Sequence, residues 1–157
     1  MNIFYLHRLA SVCAKYHCDK HVIKMILETA QLLCSAVWVY GNEAPYRLTH
    51  KNHPSAIWAR ANKQNWLWLK DLGLELCKEY KYRYGEHKEH KSQKIIEELQ
   101  CPDLPDEDFT QPTQAMPDEY KDDDSVVAYR CYYIFEKAHL LTWKRRKTPK
   151  WIREFLE

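Results

Sequence analysis

No apolar run in this 157-residue chain approaches the ~20 residues needed to cross a bilayer, so no membrane partner is expected. Met1 to Arg8 lack the basic stretch, apolar block and small-residue cleavage site of a signal peptide. That absence points to a cytoplasmic protein, of the host cell if the source is viral. The six cysteines stand singly, with no CxxC pair, and in a reducing compartment they read as buried thiols. There are no repeats, no low-complexity tracts and no apolar–polar alternation long enough for a strand. With 45% apolar and 29% charged residues the chain is globular rather than disordered. Its length suits one all-α domain over 1–157, and a monomer is expected.

Three main helices are predicted, over about 12–40, 54–84 and 122–147, in one compact unit. Gly41 sits where a left-handed residue ends the first, and Pro54 suits the first turn of the second, with Asn52 or His53 near its cap. Gly73 lies inside the second helix, a candidate close-packing point. Between the second and third helices, residues 101–121 hold Pro102, Pro105, Pro112 and Pro117 among many acids and little periodicity, a long acidic, Pro-rich surface loop. The net charge of +2 hides an uneven distribution. Lys and Arg outnumber Asp and Glu seven to three over 1–60 and eight to three over 129–157, whereas 101–128 carries nine acids against one base. Basic ends around an acidic middle suggest a polyanion-binding face built by the two termini, with the acidic segment turned elsewhere.

The first helix carries the most informative pattern. Val22, Met25, Ile26, Thr29, Leu33 and Val37 recur at helical spacing, and Ile23, Leu27, Leu32 and Cys34 cover much of the remaining circumference, so the helix should be largely buried. Against that background His17, His21, Lys24, Glu28 and Gln31 follow steps of four, three, four and three, which places them in one stripe. Buried polar groups need partners or a cavity. The stripe is therefore either a satisfied or solvated polar strip, or one wall of an active site with a carboxylate, an amine and imidazoles facing one cleft.

Other groups fit a polyanion partner. His50, Lys51, Asn52 and His53 precede Pro54 beside the free N–H groups of a helix start, apt for a phosphate. Arg130, Lys144, Arg145, Arg146 and Trp151 interleave charge with aromatic Tyr129 and Tyr133 and the further base Lys137, as backbone contact with base stacking requires. Cys13, His17 and His21, with His50 and His53, could ligate zinc. Lys24 in the same stripe and the lack of a signature spacing argue against a metal, and no cofactor is called for.

These residues resemble a known family. Asp19-Lys20-His21, with Glu28 seven residues on, is similar to the Asp-x-His…Glu helix of the phage endonuclease V type of pyrimidine-dimer DNA glycosylases. His53, opening a helix that closes with Cys77, Glu79, Arg83 and Gly85, resembles the second helix of that family and its bacterial relatives. Arg130, Glu136-Lys137 and Pro149-x-Trp151 resemble its closing segment more loosely. The resemblance implies a compact all-α enzyme that acts on double-stranded DNA carrying a damaged or modified base, and flips the nucleotide out. There the N-terminal α-amine attacks sugar C1′ to form an imine, and the helix glutamate supports the sugar cation and the following β-elimination. An α-amine titrates ordinarily near 7.7–8.0, so a useful fraction is a neutral nucleophile at physiological pH. Carried over, Glu28 takes the glutamate role, and His21, His53 and Arg130 contact sugar-phosphate or base, with His17 and Gln31, at the ends of the stripe, as further expected DNA contacts.

The departure is at the N-terminus. Met1 precedes Asn2, a poor context for methionine removal, and the lead-in to Asp19 is longer than the family's. The amine of Met1 or Asn2 stays a candidate catalytic group, with a site that lacks it as the alternative. Lys24, one turn from Glu28 and expected to be desolvated, becomes a substitute nucleophile, or Glu28 activates water. The alternatives are a non-catalytic nucleic-acid-binding accessory on the same scaffold and a Cys/His metal enzyme.

Overall fold

A computed structural model describes residues 1–156 and is all-helical, with no strand among the described residues. Its helices are α1 (Ala10–Tyr16), α2 (Asp19–Val39), α3 (Pro54–Ala59), α4 (Lys63–Tyr84), α5 (Gln93–Glu98), α6 (Ser125–Glu136) and α7 (Lys150–Leu156). Short 3-10 turns lie at Asp118–Tyr120 and Ala138–Leu140.

α2 and α4 form the central pair, with α1 against α4. One apolar cluster runs from Ile3 to Tyr133, and Ile26, Leu33, Trp66, Leu69, Leu72, Leu76 and Ile96 are fully buried in it. Gly73 marks the closest approach. A Cβ there would lie 2.9 Å from Thr29 Cγ2 and 3.1 Å from Ile96 Cδ1, so only glycine lets α4 meet α2 and α5 at this distance. By length and apolarity α2 would pass for a membrane span, contrary to the expectation that no stretch comes close, yet most of it is buried in this core.

The three long helices predicted are each interrupted. The first divides at His17–Cys18, both extended, where no Gly or Pro marks a break. Arg83, from the end of α4, makes the break possible. Its guanidinium donates to the carbonyls of Lys15 (3.0 Å) and His17 (2.7 Å), supplying partners that an uninterrupted helix would have provided. It also pairs with Glu79 (2.9 Å) and Asp19 (3.1 Å), so a buried cation is compensated on several sides. The second helix divides at Arg60–Asn62, where Asn62 caps α4 by accepting from the Asn65 amide. The acidic loop seals that break through Lys63 N–H to Pro105 O, Asn62 to Asp108 O, and Asn65 to Thr110.

The third helix ends at Glu136, so Lys144, Arg145 and Arg146 do not sit on a helix end as predicted. They form a turn with Arg145 at φ 61°, packed on the end of α4. Two cap readings hold: Gly41 has φ 87°, and His53 caps α3 with Nδ1 accepting from the Ser55 amide at 3.0 Å.

Candidate active site

Residues 1–9 form no regular element, yet Ile3, Phe4, Tyr5 and Leu6 are all buried. This apolar run is threaded into the core and carries the chain start to α2. Met1 N lies 3.9 Å from Glu28 Oε1, on a carboxylate whose side chain is only 13% exposed. The longer lead-in therefore does not remove the amine from the site; burial of the run folds it back. Asn2 lines the same cleft and pins the segment. Its amide donates to Ala115 O (3.0 Å), and its Oδ1 accepts from Ile3 N–H (2.9 Å) and the Tyr129 hydroxyl (2.8 Å). The acidic loop is thus not wholly turned away, because its Ala115 forms part of the wall.

The cleft encloses about 400 Å³ and is lined by Glu28, His21, Lys24, His53, Tyr132 and Lys137, with Met1, Asn2, Phe4, Met25 and Ala115. One carboxylate faces the α-amine and two lysines, so the cleft favours an anionic substrate. Lys24 Nζ lies 3.7 Å from Glu28 Oε2, but its side chain is 69% exposed, and the desolvation expected of it is absent. Lys137 lies over the Tyr132 ring, 5.0 Å from its centroid.

His21 is buried, stacked on Phe4 with centroids 4.2 Å apart, and its Nδ1 is 2.7 Å from the Tyr133 hydroxyl. Burial pushes its pKa down to about 3, and the neighbouring His17, Lys137 and Lys24 act in the same direction. His53 is also lowered, by burial first and then by the nearby α-amine and His50, while Glu28 opposes the shift. Because its Nδ1 caps α3, a neutral His53 carries its proton on Nε2.

The remaining predicted residues lie elsewhere. His17 does not belong to the stripe; it falls in the α1–α2 break, fully buried, with Nδ1 2.8 Å from Cys13 O and Nε2 without a partner among the described residues. It has no surface to offer DNA. Gln31 is half-buried and does not line the cleft. His50, Lys51 and Asn52 occupy the loop before His53, with His50 at φ 50° bonded to Thr49. Arg130 is clamped by the rings of Tyr16 (5.6 Å) and Trp151 (5.2 Å), and its Nε donates to Leu6 O. Arg146 pairs with buried Glu79 at 2.6 Å, Arg145 donates to Tyr82 O, and the Lys144 amide donates to Asp19.

The sequence pattern did not mark Phe4, Met25, Ala115 or Tyr132 for the site, and it marked Lys137 as a base of the last helix and part of the loosely matched closing segment. Apolar Phe4 among Ile3 to Leu6 was the one available signal that the lead-in belongs to the core.

An all-helical scaffold with a carboxylate beside an amine in a cationic cleft has the charge to receive an anionic polymer. Residues 1–92, more than half of the chain, match the family described as pyrimidine dimer DNA glycosylase, and the chain belongs to that family. It is accordingly an enzyme of the DNA glycosylase kind, with DNA as substrate. The matched stretch includes Met1, His21, Lys24, Glu28, His53 and Arg83, whereas Ala115, Tyr132 and Lys137 come from the remainder. Searches among curated proteins and among solved structures give no match.

Proposed function

We propose that this chain excises a damaged pyrimidine from duplex DNA by amine attack, with the Met1 α-amine as nucleophile and Glu28 as its carboxylate partner. The observation that carries this reading is the 3.9 Å approach of Met1 N to Glu28 Oε1 inside the cationic cleft. In the neutral form, the amine adds to sugar C1′ while the glycosidic C1′–N bond breaks and its electron pair leaves with the base, which takes up a proton. The amine gives up a proton to Glu28, which passes it to the ring oxygen as the sugar opens to an imine and is thereby a carboxylate again. The imine acidifies the C2′ hydrogen; Glu28 removes it, the 3′ phosphate leaves with the C3′–O electrons, and water later hydrolyses the imine to free the amine. Lys24, Lys137 and His53 line the cleft and suit the flanking phosphates.

Lys24 Nζ, 3.7 Å from Glu28 Oε2, is the second amine within reach, and its exposure favours phosphate contact over attack. Borohydride trapping separates the possibilities. The full chain is mixed with duplexes carrying a thymine dimer or an abasic site, reduced, digested and mapped. An adduct on the Met1 peptide is expected. An adduct on the Lys24 peptide would move the nucleophile. No adduct, with salt-dependent binding intact, would replace this reading with Glu28-activated water or a binding accessory.

A further inference from the structure

Tyr133 is on α6, fully buried, and is not part of the cleft wall. Its hydroxyl nevertheless meets three groups: the Cys18 amide donates to it at 3.1 Å, His21 Nδ1 lies at 2.7 Å, and Cys18 Sγ at 3.4 Å. A phenol has one proton to give and two lone pairs. The amide takes one lone pair. The proton goes to the imidazole nitrogen, since a short O–H···N bond outweighs a long contact to sulfur, a weak acceptor. With Nδ1 accepting, a neutral His21 carries its proton on Nε2. That nitrogen has no protein partner among the described residues and, unlike His17 Nε2, is not sealed from solvent. The stacked Phe4 ring holds the imidazole plane.

We propose that Tyr133 is a positioning residue, which by donating to His21 Nδ1 holds His21 as a neutral ring presenting Nε2–H to a sugar-phosphate oxygen in the cleft. The inference rests on reading the cleft as the reaction site. Several groups face His21: His17 and Cys18 from before α2, Lys24 and Glu28 from α2, the α-amine from the lead-in, His53 at α3, Tyr132 and Tyr133 from α6, and Lys137 just after it. Cations outnumber the single carboxylate, so the surroundings as well as burial oppose an imidazolium. A neutral donor keeps its role unchanged between pH 5 and 8 and does not compete with the amine for Glu28.

Long-range ¹H–¹⁵N correlation spectra of the full chain test the assignment. His21 is expected to show a protonated Nε2 and an accepting Nδ1 from pH 5 to 8; a protonated Nδ1, or an imidazolium at pH 6, overturns the proposal. In single-turnover assays on an abasic duplex, Tyr133→Phe is expected to slow reaction about tenfold with duplex affinity within twofold, as for one lost orienting bond. An unaltered rate overturns it. His21→Gln, whose amide reproduces a donor near Nε2 without needing Tyr133, should abolish the effect of Tyr133→Phe in the double variant. If Tyr133→Phe fails to fold, the wild-type spectrum and a rate for His21→Gln well above that of His21→Ala decide the matter. A wild-type chain that neither traps a borohydride adduct nor releases a base from a damaged duplex sinks the cleft reading and this proposal together. A trapped adduct with an indifferent Tyr133 sinks this proposal alone.

Discussion

Glu28 is the residue on which the proposed chemistry turns, because among the described residues it is the one carboxylate in the cleft and lies near both candidate amines, Met1 N at 3.9 Å and Lys24 Nζ at 3.7 Å. Glu28→Gln keeps the shape and loses the base. Turnover on a dimer-containing duplex is expected to fall at least about 100-fold, the scale of a lost general base, while duplex affinity holds or improves with one fewer negative charge in the cleft. Strand-cleavage assays beside anisotropy titrations check both, and loss of binding in step with turnover would rule out the role. Two histidines predict the acid behaviour of the fold. Burial lowers His17 to about 4 and His21 to about 3, below the ordinary 6.5 of the unfolded chain. Both are neutral in the native state, so below pH 6.5 the unfolded state binds more protons than the native one. Stability is therefore full above pH 6.5 and falls as pH drops through 6 toward 4, by up to about 1.4 kcal/mol per pH unit for each ring. Thermal melts from pH 7.5 to 4.5 should show this, with a shallower slope in His17→Gln.

At the scale of elements, the site depends on a lead-in with no secondary structure. Four buried side chains, Ile3 to Leu6, and the Asn2 bonds to Ala115 and Tyr129 hold the amine at Glu28. A Gly-Ser extension ahead of Met1 would move the terminal amine away, so borohydride trapping should fall at least about tenfold while helicity by circular dichroism stays unchanged. An undiminished adduct on the Met1 peptide's new terminus would argue that the cleft tolerates a displaced amine. Much of this level was legible in the sequence: the helical class, the cap at His53, the left-handed Gly41, and the close contact at Gly73 all follow from local chemistry. Gly73→Ala should accordingly cost about 1–3 kcal/mol from overpacking against Thr29 and Ile96, less the helix propensity gained, and a urea melt measures it. Within the candidate site, the His21–Lys24–Glu28 spacing was legible because one helix carries it. The break at His17–Cys18 was not, since its cause is Arg83, 66 residues away from the carbonyl it satisfies. The same holds for Ala115, Tyr132 and Lys137, which reach the cleft from a loop and a helix distant in sequence. No periodicity within one segment encodes a contact between two.

For the molecule as a whole, the uneven charge distribution divides into cations that face the cleft and cations that hold the fold. Lys24 and Lys137 line the cleft, whereas the Arg145–Arg146 turn, the most obviously basic stretch in the sequence, is occupied internally. Arg146 and Arg83 share the buried carboxylate of Glu79, and both Arg145 and Arg146 stack on Tyr82 at 4.4 and 4.0 Å. Counterion release gives a direct way to separate the two groups, because each phosphate neutralised contributes about 0.9 to the slope of log K against log salt. Neutralising Lys24 and Lys137 together should lower that slope by about 1.8 and weaken binding to all duplexes alike, with little change in melting temperature. Arg146→Gln should do the reverse, leaving the salt slope nearly unchanged while lowering stability by about 1–3 kcal/mol, because Glu79 loses one of its two charged partners in the interior. Titrations of a fixed duplex between 50 and 300 mM salt, run beside melts of the same proteins, give both quantities. A large slope change in Arg146→Gln would mean that the turn leaves Glu79 for phosphate on binding, and the DNA footprint would then extend from the cleft to the end of α4.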